Sequence, residues 1–372
     1  MPLITRAAER IIPMKKIVSL LLCLAMTVLL LVSCGDDEIG SYRKNYDYEE
    51  PKVEEVTLEM YIVGDERNDG VVAVSRMINQ YTTSTFKTTL NLHYLPASTY
   101  REDVNAALAE GKRVDILLVN SAGMMDELMA GQKLYDLTDF YASKTYGMLN
   151  TKITSLLLNA SKYDGRYYSV PNNRMTGSYD YLLMKESMGE KYNFGPLLMS
   201  SYRSYEETAD LRAAIIAGEG IAEENISDYV RVVNGMYADR FAYEAEGYIC
   251  NTVAYHTPTR ADVYNGSAFA IGASCEKPER AMEIVYAINQ DTTLRNLLQY
   301  GVANVNYTLE NDTVTRIETA GNRYYMNPYY TGNIFNAYYS ADDADGWNTT
   351  VAKYAKVQND DIESYVRHNP AQ

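Results

Sequence analysis

The chain has 372 residues, 47% of them hydrophobic, and a formal charge of −15 at pH 7. This length favours two domains, and the acidic excess excludes nucleic acid as a partner because its phosphates would be repelled. The chain contains 35 Tyr against 6 Phe and 1 Trp. A ring with a polar tip suits an exported protein that offers aromatic faces to polar ligands, although most individual tyrosines serve packing.

The first predicted element is an export signal. Lys15 and Lys16 precede an apolar run over residues 17–32, and Ser33 stands directly before Cys34. A basic start, an apolar run and a small residue before cysteine are typical of a bacterial lipoprotein signal over residues 1–33, with Cys34 as the lipidated first residue of the mature chain. A transmembrane anchor is the alternative, since the run approaches the length of about 18 apolar residues that can span a bilayer.

The segment after the signal predicts a tether. Removal of residues 1–33 would take away a net charge of +3 and leave about −18, so attachment to an anionic membrane has to come from the lipid. Residues 34–53 are charged, polar and without period, which favours disorder. We expect the folded part to sit on the extracytoplasmic face of the cell membrane, held there by this tether.

The next segments predict a parallel sheet. Residues 56–63 and 90–95 alternate like strands, residues 71–81 and 100–109 have helical spacing, and residues 114–119 form an apolar run typical of a buried parallel strand. The order βαβαβ favours an α/β fold with right-handed crossovers.

In such sheets ligands lie beyond the carboxyl ends of the strands. Asp65, Tyr100 and Ser121 follow the three predicted strands and are therefore candidate ligand contacts. Ordinary turns contain the same types of residue, so a purely structural role in a turn stays open as the alternative.

The middle of the chain predicts a crossing. Asn172, Asn173 and Arg174 stand between the extended segments 163–171 and 179–184. This arrangement suits a hinge whose side chains face a cleft, and a simple β-turn would require similar residues.

Further elements follow in order. We predict helices at 209–217, 278–288 and 291–300, strands at 229–233, 247–254 and 268–271, and a hairpin at 307–317. Cys250 and Cys275 flank predicted strands, and they fit either a disulfide in an oxidising compartment or ordinary burial.

The chain has none of the common catalytic or metal-binding motifs. Its three histidines have no paired spacing, and it has no Cys-x-x-Cys, Gly-x-Ser-x-Gly or Gly-x-x-x-x-Gly-Lys segment. Residues 343–346 are similar to a calcium loop, but the glycine falls one residue too early. We therefore expect a binding protein without cofactor or metal, not an enzyme.

Four segments in chain order, and a weaker fifth, carry a family resemblance. They are residues 61–65, residues 169–174 with 179–183, residues 277–284, residues 297–302, and residues 331–335 with Trp347. With the lipoprotein signal, they resemble the extracellular solute-binding proteins of family 1, which are sugar-type receptors of bacterial ABC importers. Against that pattern, the second lobe and the C-terminus of this chain are short.

The resemblance implies a two-lobed periplasmic-binding-protein-like fold of type II, each lobe a mostly parallel sheet flanked by helices. Lobe 1 would hold residues 54–171 and 266–318, and lobe 2 residues 175–264 and 320–372.

The resemblance also implies a ligand site between the lobes. Asn172, Asn173 and Arg174 would lie at the cleft floor, and Asp65, Ser121 and Asn172 would bind hydroxyls. The residues implied for stacking on sugar rings are Tyr179, Tyr338, Tyr339 and Trp347.

The implied function is a monomeric, lipid-anchored receptor that captures a carbohydrate, an oligosaccharide above all, for the permease of an ABC importer by hinge closure. Two alternatives stay open. One is a surface lipoprotein that binds glycan or peptide for sensing or adhesion without transport, and the other is a secreted glycoside hydrolase with two catalytic carboxylates.

Overall fold

The computed structural model describes residues 54–64, 69–174, 177–197, 201–236 and 239–340. The predicted signal with Cys34, the tether, Asp65 and Trp347 lie outside the described residues, and Tyr339 is described through its backbone alone. No helix in these ranges is long and apolar enough to cross a bilayer.

The first part of the chain folds as the predicted βαβαβ unit. Its elements are β1 (Val56–Gly64), α1 (Val71–Phe86), β2 (Thr88–Pro96), α2 (Tyr100–Ala109) and β3 (Ile116–Val119). β1 pairs in parallel with β2 and with β3. All four residues of β3 are buried, as the continuous apolar run predicts.

Two more strands complete this sheet. The chain continues through α3 (Ala122–Ala130), α4 (Thr138–Ala142), α5 (Leu149–Lys152) and α6 (Ser155–Ala160) to β4 (Ser169–Pro171). β8 (Ala268–Ile271) enters between β3 and β4 and is antiparallel to both, which gives the order β2-β1-β3-β8-β4. The predicted α/β class is confirmed, with a mixed sheet at its centre.

The chain between β4 and β8 builds a second sheet. It contains β5 (Ser178–Lys185), α7 (Glu186–Gly189), α8 (Tyr205–Glu219), a 3-10 helix (Glu223–Asp228), β6 (Val230–Gly235), α9 (Asp239–Ala245), β7 (Tyr248–His256) and α10 (Arg260–Asn265). β5 lies in the middle and pairs antiparallel with β6 and β7.

The expectation of a mostly parallel second sheet is wrong. β5 is apolar on both faces because each face packs in its own cluster of buried residues, not because its neighbours run parallel to it. Tyr179, Tyr181 and Leu183 pack in one cluster, whereas Leu182 and Met184 pack in another.

The last described elements cover the first sheet. α11 (Pro278–Gln290) begins with Pro278 at a tolerated position, and α12 (Thr292–Tyr300) is capped by Asp291, whose carboxylate accepts from the backbone N–H groups of Thr293 and Leu294 at 2.7 and 3.0 Å. A small sheet of β9 (Tyr307–Glu310), β10 (Thr313–Arg316) and β11 (Tyr339–Ser340) follows, and β9 with β10 is the predicted hairpin.

The boundaries of the main core differ from the predicted lobe boundaries. Val263 and Tyr264 of α10, and Tyr324 and Met326 near the end of the described chain, belong to the core of the five-stranded sheet. Val263 and Tyr264 pack there because α10 contacts α3 and α6. Tyr324 and Met326 are held to α12 by hydrogen bonds to the carbonyls of Leu298 and Gln299. Part of the chain that was predicted to form lobe 2 thus belongs to the core of the five-stranded sheet. The antiparallel sheet spans residues 178–256. The two-lobe division itself stays a prediction.

Cys250 and Cys275, for which a disulfide and ordinary burial were both left open, are not bridged. Cys250 lies in the cluster of the antiparallel sheet and Cys275 in the core of the five-stranded sheet, and both are buried free thiols. Burial raises the pKa of each thiol to about 12. Both cysteines act as small apolar residues, which is the second of the two interpretations that the sequence left open.

Candidate binding site

A cleft of about 440 Å³ lies at the end of the antiparallel sheet, next to the chain segments that connect it to the five-stranded sheet. Its lining combines cationic, hydroxyl, amide and aromatic groups, among them Arg174, Ser178, His256, Thr259, Asn265 and Tyr329. This mixture of one aromatic ring with several polar groups can hold a polar solute in a fixed orientation.

Asn172 and Asn173 precede the cleft residue Arg174 and join three chain segments. Asn172 Nδ2 donates to Ser267 Oγ at 2.8 Å and to the carbonyl of Tyr329 at 2.9 Å. Asn173 Nδ2 donates to the carbonyl of Lys152 at 2.8 Å, and the Asn173 carbonyl accepts from Ile334 N–H at 3.0 Å. Both side chains are at most 2% exposed. They therefore hold together segments that contribute to the cleft, including the one that carries Tyr329. Their predicted place at the cleft floor and their contact with a ligand stay proposals.

Arg295 holds the segment that carries Tyr329. Its guanidinium is fully buried and donates to the carbonyls of Asn333 at 3.0 Å and Pro328 at 3.3 Å, and to Gln299 Oε1. Burial lowers its pKa to about 10. The sequence analysis missed Arg295, although a charged residue between the buried Leu294 and Leu298 on an amphipathic helix was a usable signal.

Arg174 is the cationic group of the cleft. Its guanidinium carbon lies 5.9 Å from the centroid of the Tyr329 ring, and Nη2 donates to the carbonyl of Asp262. Gly266 provides the room, because a Cβ at that position would overlap the guanidinium. Burial lowers the pKa of Arg174 from its ordinary value. The structure thus brings the third residue of the predicted crossing into the cleft.

A polar cluster centred on Asp180 borders the cleft. Its carboxylate accepts from Asn234 Nδ2 at 2.8 Å, lies 2.9 Å from His256 Nε2 and accepts from the hydroxyl of Tyr205. Burial alone would raise the pKa of Asp180, but these hydrogen bonds and the His256 charge outweigh burial and lower it. The sequence analysis did not single out this cluster, because its members come from four separate segments.

Ser121 lies where the strand rule predicts, beyond the end of β3. A second depression, about 620 Å³ in volume, is lined there by Ser121, Asn120 and Arg101. Ser121 Oγ accepts from the N–H of Met124 at 3.2 Å and so caps α3. Ser121 therefore lines a depression at this edge of the sheet, but it is not among the residues that line the cleft of Arg174.

Tyr100, Tyr179 and Tyr338 are not brought to the cleft. The hydroxyl of the fully buried Tyr100 donates to the carbonyl of Tyr61 at 2.9 Å and accepts from Leu118 N–H at 2.8 Å. Tyr179 is fully buried against the rings of Tyr181 and Tyr255.

Tyr338 packs beside the cluster of Tyr300, Tyr307 and Val314. Among the described residues, the tyrosine that lines the cleft is instead Tyr329, which was not predicted from the sequence. With 35 tyrosines in the chain, no local signal distinguishes this one.

Comparison with known proteins identifies the fold. No family model and no curated protein matches the sequence. Among solved structures, the N-glycan transport solute binding protein NgtS from Streptococcus pneumoniae is similar, with a TM-score of 0.53, 15% identity, and coverage of 81% of this chain and 82% of that chain. The same protein in complex with Man5GlcNAc gives a TM-score of 0.50 at 15% identity, with coverage of 84% and 82%.

A weaker match is extracellular solute-binding protein family 1 from Alicyclobacillus acidocaldarius, with a TM-score of 0.44, 12% identity and coverage of 67% and 78%. The likeness to NgtS over four fifths of both chains shows that this chain has the fold of a solute-binding protein. The expected fold class is thereby confirmed.

Proposed function

We propose that the protein is an extracytoplasmic receptor that captures a carbohydrate, an oligosaccharide above all, in the cleft of Arg174, His256 and Tyr329. The observation that carries this proposal is the Tyr329 ring within a polar cleft of about 440 Å³. Such a ring covers the apolar face of a sugar, while the hydroxyl and amide groups around it bind the sugar hydroxyls. The N-glycan fragments bound by NgtS support an oligosaccharide as cargo.

Closure of two lobes around the solute would provide the signal for transport. The antiparallel sheet and the five-stranded sheet have separate clusters of buried residues. A ligand that contacts both parts favours the closed state by its differential affinity for that state. We propose that an ABC permease accepts the closed monomer, and that Asp65, Ser121, Asn172, Asn173, Tyr339 and Trp347 add ligand contacts in that state.

Titration calorimetry of the purified protein against an oligosaccharide library that includes Man1GlcNAc and Man5GlcNAc tests the proposed function. We expect binding, and we expect Tyr329→Ala to weaken it at least tenfold, about 1.4 kcal/mol, because the stacking surface is lost. Tyr286→Ala on α11 is the matched control and should bind as the parent protein does. A folded parent protein that binds no saccharide would contradict the proposal.

The lipid anchor is tested separately on the full-length chain. Cys34→Ala removes the acceptor thiol, so we expect the protein to move from the detergent phase to the aqueous phase in Triton X-114 partitioning and to lose incorporation of labelled palmitate. Cys275→Ala, which removes a buried thiol, should leave partitioning unchanged. Retention of the label in Cys34→Ala would rule out this anchor.

A further inference from the structure

The Arg174 guanidinium is a largely buried cation that no described carboxylate pairs with. Nη2 donates to a neutral backbone carbonyl, that of Asp262, and Nε is buried without an acceptor in the described part of the chain. A buried charge that lacks a counter-ion costs free energy, and so does an unpaired donor. This side chain also lines the cleft, so a solute can reach it.

Two carboxylates at the cleft are engaged elsewhere: that of Asp262, which lines the cleft, and that of Asp180, which contacts the lining residue His256. Asp262 Oδ2 accepts from the N–H and the hydroxyl of Thr259, both at 2.7 Å, in the capping box of α10. Asp180 is held by Asn234, Tyr205 and His256. The guanidinium therefore keeps unused donor capacity, on a side chain that lines the cleft next to an aromatic ring.

We propose that the cleft selects an acidic saccharide, whose carboxylate pairs with Arg174 while its ring stacks on Tyr329. This inference rests on the proposed function and names its class of solute. A planar guanidinium matches the geometry of a carboxylate, and such charge-assisted hydrogen bonds are the strong ones. Ser178, Thr259 and Asn265 supply the hydroxyl and amide groups for the neutral part of the sugar.

The negative charge of the whole chain does not oppose this selection at short range. At physiological ionic strength the Debye length is about 8 Å, so exposed carboxylates farther away than this are largely screened. A guanidinium in direct contact with the solute, in a partly desolvated cleft, acts with much less screening. The acidic surface disfavours long polyanions, whereas the cleft favours short acidic saccharides.

Calorimetry with matched pairs tests the inference. The probes are digalacturonate with its carboxyl-reduced counterpart, and 3′-sialyllactose with lactose. We expect the acidic member of at least one pair to bind at least tenfold more tightly, and Arg174→Gln to reduce that preference below threefold. Arg174→Lys keeps the positive charge but lacks the paired N–H donors of a planar guanidinium, so it should retain part of the preference. This variant also tests the inference if Arg174→Gln does not fold.

Arg260→Gln is the control, because Arg260 stands on α10, pairs with Asp126 at 2.8 Å and does not line the cleft. It should keep the full preference. Equal binding of neutral and acidic members overturns this inference and leaves the proposed function standing. A preference that survives Arg174→Gln, or a stronger preference for a sulfated disaccharide, overturns the assignment of a carboxylate to Arg174. If no saccharide of either kind binds, the proposed function fails and this inference fails with it.

Discussion

Gly177 shows how one residue shapes the cleft. Its φ of +80° lies in the region that L side chains rarely adopt, and a Cβ there would overlap the hydroxyl of Tyr255. Only glycine therefore lets the chain turn into β5 directly over that buried ring. The position is next to Ser178, so a shift of the backbone here would also move the lining of the cleft.

We predict that Gly177→Ala lowers the free energy of unfolding by more than the cost of about 1–2 kcal/mol for left-handed backbone alone. Gly165→Ala is the matched control, since Gly165 has a φ of +79° and open space where its Cβ would lie. Urea unfolding of both variants measures the difference, which isolates the overlap with Tyr255. Equal losses in the two variants would show that Tyr255 simply moves aside.

The residues of the site were only partly predictable from the sequence. Asn172, Asn173 and Arg174 stand out locally, because a polar step between two strands is visible in the sequence itself. Tyr329 and Arg295 do not, because their roles depend on hydrogen bonds to partners far along the chain, such as the bond from Asn172 to the Tyr329 carbonyl, 157 residues away. In a chain with 35 tyrosines, the sequence alone does not distinguish Tyr329 from the others.

At the scale of elements, α1 is tied to a distant loop by one carboxylate. Asp69 accepts from the N–H groups of Gly321 and Arg323 at 2.9 and 2.6 Å and pairs with the Arg323 guanidinium at 2.8 Å. The hydrogen bond from the Arg323 side chain is the main cause that lowers the pKa of Asp69 to about 2. The start of α1 and residues 321–323 thus form one unit at neutral pH.

This tie predicts a specific pH dependence of stability. A lowered pKa in the folded state means that the stabilisation is fully present above the unfolded value of 3.8 and is lost as the pH falls towards 2. Asp69→Asn should reduce stability at pH 6 and flatten the stability curve between pH 4 and pH 2, as measured by thermal unfolding. Asp210→Asn on the exposed surface of α8 should keep the slope of the parent protein, and the same slope in Asp69→Asn would contradict the prediction.

Elements with a strong local pattern, the parallel pairing of β1 with β2 and β3, and the β9–β10 hairpin were predicted well, whereas the pairing in the second sheet was not. The apolar run of β3 and the capping carboxylate of Asp291 are read from neighbouring residues. The antiparallel sheet was not, because an apolar strand such as β5 looks the same whether its neighbours run parallel or antiparallel. Whether β6 and β7 run parallel or antiparallel to β5 depends on how the chain connects them to it, and the residues of β5 alone do not indicate this.

For the whole molecule, the proposed closure predicts a change of shape. Among the described residues, 172–174 with Gly177 and 257–259 lie between the antiparallel sheet and the main core, so we expect motion to concentrate there. Small-angle scattering should show a smaller radius of gyration when a saccharide that binds is present at saturation. Tyr329→Ala at the same concentration should show a smaller change, and an unchanged radius in the saturated parent protein would contradict closure.

The pairing of Pro171 with Ala268 has a consequence for the ancestry of the chain. The polypeptide leaves the main sheet at β4 and comes back in β8, its antiparallel neighbour, and Asn172 N–H donates to the Ser267 carbonyl at 3.2 Å. The whole chain segment between β4 and β8 thus occupies the place of a hairpin loop. Insertions, deletions or replacement within residues 178–256, outside α10 with its core residues Val263 and Tyr264, should leave the register of the five strands unaltered. Evolution can therefore exchange one wall of the cleft, and with it the choice of solute, without redesigning the scaffold that supports it.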